Sequence, residues 1–183
     1  LLCMSMGFLV PEEAPLIWRG PMVQTAVRQL FLDVAWPALD VLVLDLPPGT
    51  GDTHLSLAQR VPLTGAVIVS TPQDIALLDA RKAMAMFDKM DVPILGIVEN
   101  MTMFACPHCH EVSHIFGEHG AQKEAHVRGV PFLGSLPLTM AVRQAGDRGT
   151  PFFMGANEHD VSRQVYVEMA TLLRKTLAPP CDL

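Results

Sequence analysis

The run Val41–Asp52, V-L-V-L-D-L-P-P-G-T-G-D, constrains the fold of this 183-residue chain more than any other segment. Its apolar, β-favouring residues do not alternate with polar ones, which predicts a strand buried on both faces of a parallel sheet. Asp45 then stands at the carboxyl end of that strand, the edge at which open α/β sheets bind ligands. A carboxylate in that position suits magnesium or its water. The residues after it, Leu46 to Gly49, predict a loop in which the Gly49 amide can approach a terminal phosphate, since glycine has no Cβ to block it. A solvated Asp at a strand end is the simpler reading of Asp45 alone. The rigid Pro-Pro-Gly-Thr-Gly-Asp that follows favours the nucleotide site, with Gly49 on its phosphate side. Asp52 reads as the N-cap of a helix that begins at Thr53.

The complementary phosphate cradle is not found. A phosphate-binding loop takes the form G-x-x-x-x-G-K-[ST], with backbone amides converging on phosphate and a lysine as the cation. None of Lys82, Lys89, Lys123 or Lys175 follows a glycine. The opening Leu1–Leu9 reads as a strand already under way, so the chain is expected to be the carboxyl-terminal part of a longer protein.

Half of the residues are hydrophobic, enough for one domain with a substantial core. One partial domain over residues 1–177, followed by a disordered tail at 178–183, is the expected organisation. The net charge of -6 and the scattered lysines and arginines argue against nucleic-acid and anionic-membrane surfaces. No apolar run approaches the roughly 18 residues of a membrane span. The four cysteines, Cys3, Cys106, Cys109 and Cys181, are too unevenly spaced for a secreted disulfide framework, which favours a reducing compartment.

Strand and helix signals alternate along the chain. Helical spacing from Gly20-Pro21 to Val34 ends at Trp36-Pro37, and strand 41–45 precedes a helix over 53–60. A second buried strand over 66–70 ends in Thr71-Pro72-Gln73-Asp74. A helix over 75–90 and a strand over 93–98 ending at Glu99-Asn100 follow. An irregular segment at 101–113, a helix at 118–128, a strand at 131–136 and a helix at 158–177 complete the pattern. This alternation predicts a parallel sheet flanked by helices. Asn100, at a strand end, either reaches a base edge with its amide or caps a turn.

The second constellation is Phe104-Ala105-Cys106-Pro107-His108-Cys109-His110, with His114 and His119 nearby. Three chemistries fit it. Two thiolates with two histidines, spaced C-x2-C-x4-H-x4-H, can close a zinc site and make a zinc-binding interaction module. Cys-Pro-His-Cys also suits a thiol-disulfide oxidoreductase, with Pro107 opening a helix that lowers the pKa of Cys106. Third, two thiolates from each of two subunits supply the four that a 4Fe-4S cluster needs.

Taken in order, Met4–Leu9, Trp18–Met22, Leu44–Asp52, Ser70–Asp74, Glu99–Met101 and Cys106–Cys109 resemble the Mrp family of P-loop ATPases, which act as iron-sulfur cluster carriers. The resemblance runs from Met4 to about Pro151. It implies a P-loop NTPase fold of the MinD type, with the amino-terminal strand and phosphate loop lying outside this chain. It implies ATP and magnesium as cofactors, with Asp45 as the magnesium-side carboxylate, Pro48 and Gly49 as the γ-phosphate switch, and Asn100 as an adenine contact. It further implies that Cys106 and Cys109 hold a 4Fe-4S cluster across a homodimer and that the cluster passes to apo-proteins. The family hydrolyses ATP, and this chain without the phosphate loop is expected not to. The expected compartment is the cytoplasm, with the mitochondrial matrix as the alternative.

Overall fold

A computed structural model describes residues 1–9, 25–26, 28–46, 61–155 and 158–177, which fall into two compact units, Leu1–Pro62 and Leu63–Leu183. In the first unit, Met6–Phe8 form a single 3-10 turn, capped by the Ser5 hydroxyl, which accepts from the Gly7 amide at 3.1 Å. The expected opening strand is therefore not formed. Thr25, Ala26 and Arg28 are helical and lead into a wide helical turn, Gln29–Asp33, and Trp36 Nε1 closes back on the Leu30 carbonyl at 3.3 Å.

Residues 41–46 correct a second expectation. They form no strand, and Val43 is 85% exposed. An apolar run becomes a strand only when neighbouring strands take up its amides and carbonyls, and none pairs with it among the described residues. Pro48, Gly49, the helix expected over 53–60, the start of the helix expected at Gly20-Pro21, Cys181 and the 178–183 tail lie outside the described residues.

The second unit carries the parallel sheet. Strands β1 (Ala66–Ser70), β2 (Ile94–Asn100) and β5 (Phe132–Leu136) pair in the order β1-β2-β5, with Ser70 opposite Glu99 and Asn100 opposite Leu136. Helix α1 (Asp74–Lys89) connects β1 to β2 and packs on β1, and α2 (Gly120–Arg128) packs on β2. Val98, Leu133 and Leu136 are covered by Met169, Val165, Tyr166 and Leu173 of helix α4 (Val161–Leu177). β2 is the most deeply buried strand, as its near-continuous apolar run predicts. β1 differs from its expected two-sided burial, because Ile68 and Ser70 are buried while Val67 and Val69 are exposed.

Helix α3 (Met140–Asp147) was not foreseen. Thr139 caps it, its hydroxyl accepting from the Val142 amide at 3.3 Å, and none of its residues is fully buried. The last helix begins at Val161, three residues later than expected, where Asp160 Oδ1 accepts from the amides of Ser162 and Arg163.

One ion-pair group ties α1 to α2. The side chain of Glu124, 8% exposed, accepts from Arg81 Nε at its Oε2 and from Arg128 Nε at its Oε1, both at 2.8 Å. Burial raises the Glu124 pKa, but the hydrogen bonds and charges of Arg128 and Arg81 outweigh it and hold the carboxyl below its ordinary 4.5. A carboxyl with a depressed folded pKa contributes stability above its unfolded pKa and loses that contribution as pH falls through the folded value. Glu124→Gln is therefore expected to cost about 1–2 kcal/mol at neutral pH and to flatten the loss of stability below pH 4.5. Urea denaturation between pH 3 and pH 7 measures both; parallel curves for variant and wild type would remove Glu124 from the acid response.

Candidate functional site

The carboxyl ends of the three parallel strands lie along one edge of the sheet, the edge that positions ligands in open α/β folds. Asn100 ends the central strand there and is half-buried. Its Oδ1 accepts from the Met101 amide at 2.9 Å, which leaves the side-chain NH2 as a donor. Beside it, the Thr71-Pro72 turn after β1 meets the first residue of α2, since a Cβ on Gly120 would fall 2.3 Å from the Pro72 carbonyl oxygen. Asp45 is exposed and lies in the other unit.

Between β2 and α2 the chain leaves the sheet and returns, and this excursion carries the cysteines. It is not wholly irregular as expected: β3 (Phe104–Ala105) and β4 (Val112–Ser113) form a short antiparallel hairpin, Phe104 opposite Ser113. The Cys106 amide extends the ladder to the Glu111 carbonyl at 2.9 Å, and the His110 amide closes the tip onto the Cys106 carbonyl at 2.9 Å. Pro107–Cys109 is a turn, so Pro107 opens no helix. The turn has the electrostatic effect expected of a helix end, because the backbone N–H groups of Cys109 and His108, together with the Cys109 thiol, lower the Cys106 pKa. Amides aimed at sulfur favour the thiolate, the form that binds metal. Both thiols are free, Cys106 half-exposed and Cys109 exposed, and Cys3 is also free and exposed.

The histidines do not complete a closed zinc site. His114 Nδ1 lies 2.9 Å from the Thr102 carbonyl, and its Nε2 lies 3.4 Å from Glu118 Oε1. His119 is the N-cap of α2, in a left-handed conformation. Among the described residues, no three His, Cys, Asp or Glu side chains gather where one ion could bind them.

Both ends of the excursion are fixed to the core. At its start, the buried Thr102 donates through its amide and its hydroxyl to the Leu136 carbonyl, at 3.0 and 3.3 Å. At its end, the Ala121 amide donates to Glu99 Oε2 at 2.7 Å, and Glu99 is 1% exposed. A carboxylate this deep needs a donor, and the amino end of α2 supplies it. The sequence signal for this was an acidic residue inside an apolar strand; reading Glu99 only as a strand terminus missed it.

The excursion is also backbone-strained. Met101, His110 and His119 have φ of 56°, 60° and 57°, a region that costs L-residues roughly 1–2 kcal/mol each. Strain of this kind concentrates at functional sites. His119→Gly is expected to raise stability by about 0.5–1 kcal/mol, the steric relief exceeding the extra entropy of glycine in the unfolded chain. A lower urea midpoint in the variant would count against the strain.

A family model described as "ParA: NUBPL iron-transfer P-loop NTPase" matches residues 1–173. The "Iron-sulfur cluster transfer protein NUBPL" of Dictyostelium discoideum is 52% identical over 174 residues, which cover 91% of this chain and 54% of that protein. The chain spans about half the length of such curated relatives. Among solved structures, the nucleotide-binding protein of Archaeoglobus fulgidus in complex with ADP aligns with a TM-score of 0.65 and 37% identity, over 74% of this chain and 56% of that one. MinD of Pyrococcus horikoshii, complexed with Mg-ADP, aligns with a TM-score of 0.60 and 19% identity, over 88% and 59%, and shares the fold.

Proposed function

The chain belongs to the ParA/NUBPL family of iron-transfer P-loop NTPases, and from that premise we propose that it forms the cluster-holding portion of an ATP-dependent iron-sulfur cluster carrier. The observation that carries this reading is the hairpin tip. Cys106 and Cys109 lie within one turn, the first partly and the second fully exposed, with amides favouring the Cys106 thiolate and no third ligand gathered around them among the described residues. Two thiolates on a protruding turn are half of a four-thiolate set. A second copy of the chain supplies the other half, so a 4Fe-4S cluster bridges a homodimer as cargo and passes to apo-proteins.

The nucleotide side rests on family membership and on the chemistry of the residue types, Asn100 at the end of β2 and Asp45 in the first unit. The remaining donor of Asn100 suits an acceptor on an adenine edge, and the Asp45 carboxylate suits magnesium; Pro48 and Gly49 are assigned the γ-phosphate. In the whole protein ATP would supply the energy of phosphate hydrolysis, with Asn100 contacting the base and Asp45 the cation. A reducing compartment keeps the thiols competent, which suits the cytoplasm or the mitochondrial matrix.

Iron and acid-labile sulfide per chain, measured after anaerobic reconstitution, test the proposal. About two of each per chain, on a protein that sediments as a dimer, are expected for one bridging 4Fe-4S cluster. Tightly held zinc without sulfide would replace this reading with the zinc-binding module. The lowered Cys106 thiol beside Cys109 favours one second reading, a thiol-disulfide oxidoreductase; insulin reduction by a monomer that retains no iron would establish it instead.

A further inference from the structure

We propose that His114 is the positioning residue that closes the base of the cysteine hairpin and thereby sets where Cys106 and Cys109 stand relative to the end of the central strand. The inference rests on the cluster-carrier reading for its functional consequence, although the clamp itself is a property of the chain alone.

Little besides its base holds the hairpin together. β3 and β4 contribute two residues each, and so short an isolated ladder is marginal in water. None of residues 105–115 is buried, so apolar packing does not hold the tip. The hairpin must therefore be fixed at its base, and three groups meet there. Thr102 hangs from β5 through its two hydrogen bonds to the Leu136 carbonyl. The Leu138 amide donates to the Met103 carbonyl at 2.8 Å, so the strand entering the hairpin runs beside the segment leaving β5. On the returning side, the bond that joins the two arms is His114 Nδ1 to the Thr102 carbonyl, at 2.9 Å.

That bond has a defined direction. A carbonyl only accepts, so Nδ1 carries the hydrogen and the ring is held as a donor into the entering strand. His114 directly follows β4, and Thr102 stands two residues before β3, so the bond spans the hairpin where its arms leave the ladder. The Thr102 carbonyl thus links to the returning arm while its amide and hydroxyl link to β5. One residue of β2's extension therefore joins the sheet to both arms of the hairpin. Asn100, assigned to the base, is only two positions upstream.

For a cluster shared between two copies, the spacing of the two thiolate pairs decides whether four sulfurs reach four irons. A hairpin that pivots at its base would still bind iron but hold it loosely. Loss of the His114 donor should therefore act on retention of the cluster more than on its initial assembly.

The test compares His114→Ala, His114→Asn and His114→Gln. Asparagine places an amide N–H near the Nδ1 position, whereas glutamine places it near Nε2. Amide hydrogen exchange of Phe104, Cys106 and Ser113, whose N–H groups face across the ladder in this register, measured without cluster, is expected to speed up about tenfold in His114→Ala and His114→Gln, the loss of one hydrogen bond, and to return toward wild type in His114→Asn. On reconstituted protein, cluster loss to a chelator, followed by visible absorbance, should show the same order. Unchanged exchange in His114→Ala, or equal rescue by asparagine and glutamine, overturns the proposal. If the wild type holds no iron or sulfide, the carrier reading fails, and the exchange comparison still decides the clamp.

Discussion

The Cys106→Ala/Cys109→Ala double variant is expected to lose all reconstituted iron and sulfide while keeping the wild-type circular dichroism spectrum and melting temperature. Neither side chain is buried, and neither contributes to the packed face formed by Val98, Leu133, Leu136 and Met169, so their removal leaves no cavity and no stranded polar group. The chemistry is different. Thiolates are the ligands of iron-sulfur clusters, and no three His, Cys, Asp or Glu side chains gather at a common point among the described residues to substitute for them. A single Cys109→Ala variant should fall nearly as far, since one missing thiolate in each copy leaves only two of four. Retention of iron by the double variant would move the site elsewhere, with the exposed Cys3 the first residue to examine.

Gly120→Ala is expected to act through the fold. An added Cβ would lie 2.3 Å from the Pro72 carbonyl oxygen and 2.8 Å from Leu77 Cδ1. Leucine can rotate away, but the carbonyl belongs to the backbone turn that follows β1 and cannot yield without moving it. The alternative is for α2 to withdraw, which stretches the bond from the Ala121 amide to the buried Glu99 carboxylate. Either response costs about 2–3 kcal/mol, a fall of roughly 6–12 °C in melting temperature for a unit of this size. The same displacement shifts the Thr71-Pro72 turn at the carboxyl edge of the sheet, so the variant's effect reaches beyond α2 itself. A melting temperature within a degree of wild type would show that the close approach is not a constraint.

Much of the second unit was legible from sequence because its signals are local. β2 and β5 follow from apolar runs bounded by proline and glycine, and α1 from helical periodicity, each within a few residues of the observed bounds. The Cys-Pro-His-Cys turn was legible for the same reason, since a spacing of two residues confines both thiols to one turn whatever surrounds them. α3 escaped notice because its cap, Thr139, follows Leu136-Pro137-Leu138 without a break and its eight residues bury no continuous face.

What the sequence determined by itself was the repertoire: an α/β chain with a parallel sheet, a carboxylate at a candidate strand end, and two cysteines fit to bind metal. What only the tertiary structure decided was which of these signals found partners. The 41–45 run has the composition of a buried strand and forms none among the described residues, because a strand is a property of its neighbours' hydrogen bonds as well as of its own side chains. The partners of His114, Glu99 and Glu124 could not be read from sequence, since Thr102, Ala121 and Arg81 lie 12, 22 and 43 positions away. Local propensity decides whether a segment can turn, extend or coil; only folding brings a distant donor within 3 Å of a buried acceptor, and that is where the clamp on the cysteine hairpin comes from.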